Sequence, residues 1–76
     1  MNIYLISQYE NTGFNTYDTA VVIAESEEAA RLTHPSGEEE WIDESWADLE
    51  DIEVELLGEA VEGARAGVVC ASFHAG

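Results

Sequence analysis

The chain contains no lysine, and Arg31 and Arg65 are its only strong bases, against seventeen Asp and Glu for a formal charge of −15. That imbalance argues against nucleic acid, anionic lipid headgroups and acidic substrates as ligands, because the summed field repels them over a Debye length of ~8 Å. The same field steers cationic protein surfaces inward. A single cysteine, Cys70, excludes an intramolecular disulfide and fits a reducing compartment, while an intermolecular bond stays open after oxidation. No apolar run approaches the ~20 residues of a transmembrane helix, and Met1-Asn2-Ile3-Tyr4 lacks the basic region of a signal peptide. A cytoplasmic protein with no membrane partner is expected.

Metal ligands are equally sparse. One Cys and the histidines His34 and His74 do not make the four-ligand spacing of a zinc site. Residues 38–51 are rich in carboxylates but lack the alternating Asp or Asn and the central Gly of a calcium loop. Neither a metal nor a cofactor is expected.

What the chain does have is core material. Hydrophobic residues make up 46% of its 76 positions, too many for a disordered acidic tail. The length suits one domain over residues 1–76, burying roughly 60% of the surface that the unfolded chain exposes. A core of that size leaves a surplus on the order of 5 kcal/mol.

Ile3 to Ser7 is a short apolar run that reads as a strand, followed by the turn formers Asn11, Thr12, Gly13 and Asn15. Tyr17 to Ala24 is apolar on both alternating faces, as in a central strand. Ser26 before Glu27 and Glu28 is an N-cap with a favourable charge in the first turn, and Pro35 stops the helix near Thr33. Trp41 and Trp46 lie in the acidic stretch from Glu38 to Asp51; they either anchor that segment under the sheet edge or form an exposed contact patch. Ile52, Val54 and Leu56 alternate with Asp51, Glu53 and Glu55, a strand with a core face and a carboxylate face. A turn over Gly58 to Gly63 leads to a last strand from Ala66 to Phe73, with Val69, Ala71 and Phe73 inward and Cys70 outward. The expected fold is α+β, ββαββ: two hairpins joined by one helix, which packs on one face of a four-stranded, mostly antiparallel sheet.

The sequence reads as a non-enzyme. Acid–base catalysis needs two carboxylates at a set separation in a sheltered cleft, and no elbow or oxyanion motif surrounds Cys70, His34 or His74. The carboxylate row is the candidate site. Alternate strand residues lie about 7 Å apart on one face, twice the ~3.4 Å rise per phosphate of a DNA strand. Asp51, Glu53 and Glu55, extended by Asp48, Glu50 and Glu59, can therefore occupy basic residues that would otherwise hold a nucleic-acid backbone, as a DNA mimic does. The same row would also serve as the ordinary solvated face of an edge strand.

Beyond these patterns, Asn2-Ile3-Tyr4-Leu5-Ile6-Ser7-Gln8, Tyr17-Asp18-Thr19-Ala20-Val21-Val22, Glu25-Ser26-Glu27-Glu28-Ala29-Ala30-Arg31, His34-Pro35 and Val68-Val69-Cys70-Ala71-Ser72-Phe73 resemble a family of small phage proteins. That family is the ninth named group of type I-C anti-CRISPR proteins, and the likeness covers most of the chain outside residues 38–51. The resemblance implies an inhibitor acting in the host bacterial cytoplasm. It would bind a basic DNA-binding surface on the type I-C crRNA-guided surveillance complex (Cascade) and block target DNA. It also implies a homodimer involving Cys70. The other reading is a small phage accessory or assembly protein, soluble through its charge, that docks on a virion or host protein.

Overall fold

A computed structural model describes residues 1–37 and 45–74. In chain order these form β1 (Asn2–Ser7), β2 (Thr16–Ala24), α1 (Glu27–Arg31), a 3-10 turn (Leu49–Asp51), β3 (Glu53–Glu59) and β4 (Gly67–His74). The strands make one antiparallel sheet in the order β3-β1-β2-β4, with the single α-helix against one face. This is the expected ββαββ, α+β architecture.

The β1–β2 hairpin is built around a buried amide. Gln8 donates from Nε2 to the carbonyls of Asn11 and Tyr17 at 2.7 and 2.8 Å, and its Oε1 accepts from the backbone of Glu10 and Asn11. One side chain thus satisfies loop groups that have no strand partner. Asn15 takes the left-handed conformation, φ 62°, which Asn tolerates better than most residues.

Ser26 caps α1 by accepting from the backbone N–H of Ala29 at 3.1 Å, as its place before Glu27 and Glu28 suggests. At the other end Arg31 donates to the carbonyls of Leu49 and Ile52, tying the helix to the start of β3. The core lies between helix and sheet: Tyr4, Ile6, Ala20, Val22, Ala24, Ala30, Trp46 and Ile52. Trp46 is fully buried, so of the alternatives for the tryptophans it is an anchor, whereas Trp41 lies outside the described residues.

Two expectations are corrected. β3 and β4 do not form a second hairpin; they flank the β1–β2 pair on opposite edges. Ala60 donates to the Met1 carbonyl beyond the Asn2–Glu59 pair, and Gly67 pairs with Ile23, so the connection crosses the end of the central pair. The inward face of β4 also differs. Val68 and Ala71 pair with Val22 and Ala20 on the helix side, because Val69 is an extra residue in a bulge that shifts the alternation. Val69 is consequently 57% exposed, and Phe73 packs on the Tyr17 ring, centroids 4.7 Å apart, at the rim of the core.

Candidate functional site

Strand pairing assigns the two faces. Tyr4, Ile6, Ala20 and Val22 point toward α1; Ile3, Leu5, Val21 and Ile23 point away, and no other described element covers them. On β3, Glu55 pairs with Leu5 and Glu53 with Ser7, so both carboxylates stand on this open face. On β4, Cys70 pairs with Val21 and Ser72 with Thr19, so Cys70 is outward and exposed as expected. The open face is therefore an apolar centre flanked on the β3 side by carboxylates.

The six-residue acidic row is broken into three parts. Asp51 is not a strand residue but closes the 3-10 turn, where it lies with Asp48 and Glu50. One oxygen from each of these three carboxylates lies within 4.8 Å of the others, a concentration of charge just ahead of β3. Glu53 and Glu55 form the strand row proper. Glu59 pairs with Asn2 beyond a bulge in which Leu57 is the extra residue, and this puts it on the helix side. The same strand is less inward than its alternation predicts: Ile52 is buried, Val54 half-buried and Leu56 61% exposed.

A cavity of about 630 Å³ opens at the start of β3. Glu50, Glu53 and Glu55 supply its charge, Leu5, Ile52 and Val54 its apolar wall, and Ser7 and Tyr9 its β1 side. Arg31 also reaches it, but its guanidinium is engaged by the Leu49 and Ile52 carbonyls and lies 4.0 Å from Glu27. Sequence reasoning missed Ser7 and Tyr9, although the alternation along β1 already places Ser7 on the face of Leu5; Tyr9 lies beyond the strand.

The histidines separate. His34 is buried, with its ring edge-on to Tyr17 and Trp46 and its Nδ1 accepting from the Ser36 backbone at 3.1 Å. His74 ends β4 with Nε2 3.5 Å from the Asp18 carboxylate. Hydrogen bonding from Ser72, then from Thr19, with the His74 imidazole adding to it, holds the Asp18 carboxyl below the usual aspartate range against a smaller opposing effect of burial.

Fold and site together define a small acidic α+β domain with one open sheet face. No family model, curated protein or solved structure matches this chain. None of the described helices is long and apolar enough to cross a membrane.

Proposed function

We propose that the protein is an anti-CRISPR inhibitor that sets the β3 side of its open face against a basic DNA-binding surface of a type I-C Cascade subunit and so blocks target DNA. The observation that carries this reading is the pair Glu53 and Glu55, in register on an uncovered face beside the Asp48, Glu50 and Asp51 cluster, in a chain of charge −15. Such a surface attracts cationic partners quickly and in a salt-sensitive way. The resemblance of the β1, β2, α1 and β4 segments to type I-C anti-CRISPR proteins supplies the partner. The action is binding and not catalysis.

The test is protection of Cascade. Surveillance complex is titrated with the protein and the fraction of target duplex still bound is measured. Reversing Glu53 and Glu55 together to Lys should abolish inhibition while circular dichroism stays native, because both side chains stand on the open face. Retained inhibition by that folded variant would exclude the β3 row as the contact. The apolar centre of the open face, Ile3, Leu5, Val21 and Ile23, favours a second reading, an accessory or assembly protein docking on a virion or host protein through that face. Inhibition lost in Leu5→Ser but kept in the Lys variant would favour a contact through the apolar centre.

A further inference from the structure

We propose that the open face of the sheet seats an amphipathic helix of the partner protein, its basic residues on the flank that lies over β3. The proposal rests on the reading that the partner is a cationic protein, and it names the element by which that protein is held.

An antiparallel sheet with one face in water ordinarily alternates apolar inward and polar outward. The central strands depart from that rule. Ile3, Leu5, Val21 and Ile23 stand on the face away from α1 and are only half-buried, with no described element across them. An apolar centre of this kind on an open face marks a surface that a partner covers.

Its shape selects a helix. Ile3 pairs with Ile23 and Leu5 with Val21, so the four side chains form one block on two neighbouring strands. Two strands are about 10 Å wide, the diameter of a single helix. At one end the block is flanked by Gly58 and Gly67, where a Cβ would meet nothing within 4 Å, so no side chain walls it off. On the β4 side Thr19, Val21, Cys70 and Ser72 line a cavity of about 180 Å³. An apolar cavity of ~150 Å³ already holds a benzene ring, so one large apolar side chain of the helix fits there.

Charge sets the helix's flanks. Glu53 and Glu55 border the block on the β3 side, about 7 Å apart along the strand. Helix residues i and i+4 are about 6 Å apart along the axis, so two basic residues one turn apart reach both carboxylates. β4 carries no Asp, Glu, Lys or Arg, so the other flank of the helix needs no charge. A second copy of this chain is the poorer occupant. It sets −15 against −15, and the α-helix of its described residues is five residues long and begins Glu27-Glu28.

The experiment titrates ¹⁵N-labelled protein with a peptide of about 18 residues, long enough to form a helix, that carries a leucine stripe and two arginines one turn apart beside it. Control peptides carry citrulline or Glu at both arginine positions, or the same composition in an order without a stripe. The arginine peptide should shift the amides of Leu5, Val21, Ile23 and Cys70 saturably and leave those of Ala29 and Ala30 in place. Citrulline should weaken binding by about threefold or more and Glu by about tenfold or more, and the stripeless peptide should not saturate. Glu53→Gln with Glu55→Gln should weaken the arginine peptide by about threefold or more and leave the citrulline peptide unchanged. Cys70→Trp, which fills the cavity, and Val21→Ser should weaken both. Cys70 is exposed, so its variant should keep the native spectrum even if Val21→Ser does not.

Equal binding of the stripeless peptide, or shifts confined to the carboxylates, would overturn the proposal. So would shifts across the open face on dilution of the free protein, which would place a second copy there. If the arginine peptide saturates but the protein does not inhibit Cascade, the helix seat stands and the Cascade reading falls. If the peptide never saturates while Cys70→Trp and Val21→Ser inhibit Cascade normally, the seat falls and the inhibitor reading stands.

Discussion

The two faces of the sheet are built from the same kinds of residue on the same strands. Toward α1, Tyr4, Ile6, Ala20 and Val22 are buried, and Trp46 and Ile52 close over them. On the other face Ile3, Leu5, Val21 and Ile23 are equally apolar yet only half-buried, because no described element lies across them. Apolar character alone does not make a residue part of the core; a covering layer does. One face stabilises the fold, and the other is left uncovered by the described residues.

That difference predicts unequal costs. Trp46→Ala should destabilise the protein by about 3–5 kcal/mol, a large share of what so small a domain has. Ile23→Ala on the open face should cost only about 1 kcal/mol, because much of its side chain already faces water. Thermal or urea unfolding of the two variants at one protein concentration checks the ratio. Equal losses would mean that the open face is covered in solution.

The edges of the sheet differ as well. β3 carries Glu53, Glu55 and Glu59, whereas β4 has no Asp, Glu, Lys or Arg along its length. Charges on an edge strand discourage pairing with a second sheet, so β3 is protected in a way that β4 is not. Two copies of a chain with charge −15 can therefore meet at β4 with least repulsion. Cys70 should react with alkylating reagents in the native protein, and oxidised protein should run as a dimer that Cys70→Ser abolishes. A thiol that stays unreactive until unfolding would contradict its exposure. Screening acts on the whole charge in the same sense: raising sodium chloride should lift the melting midpoint by a few degrees, while salt that weakened the fold would show that self-repulsion is not the dominant long-range term.

Local chemistry made much of this legible. Ser26, Pro35, the turn formers after Gln8 and the alternation in β2 and β3 place every regular element within a residue or two, because each depends on neighbours in the chain. Strand order was not legible, since residues 60–66 read equally well as a hairpin turn and as a crossover. Only long-range pairing, with Glu59 opposite Asn2 and Gly67 opposite Ile23, separates the two. The bulges at Leu57 and Val69 were hidden for a related reason. An extra residue resets the alternation without changing residue type, which is why Glu59 left the carboxylate row and Val69 left the core. Of the six carboxylates of the candidate row, Glu53 and Glu55 are the two that keep the strand alternation on the open face. The burial of Ser7 and its place beside the cavity follow from packing that no local pattern encodes.

The smallest expected effect lies at the β4 edge, where Asp18 is itself the extra residue of a bulge, between the Tyr17–Phe73 and Thr19–Ser72 pairs. Its carboxyl is held below the usual aspartate range chiefly by the Ser72 hydroxyl, with help from Thr19 and His74. A folded value below the unfolded one means that the native state binds fewer protons in that window. The stabilisation is therefore complete above the unfolded value of about 3.9, and it is lost as pH falls through the folded value. Asp18→Asn removes the titration, so the difference in melting midpoint between wild type and variant should be constant above about pH 5 and shrink below about pH 4. Comparing variants cancels the general loss of solubility near the isoelectric point of about 4.1. Ser72→Ala should reduce the pH-dependent part more than His74→Gln does, since the hydroxyl is the larger cause. A difference that stayed constant down to pH 2 would show that Asp18 gains nothing from its neighbours on folding, and that the uncharged edge of the sheet does without a fixed charge at its end.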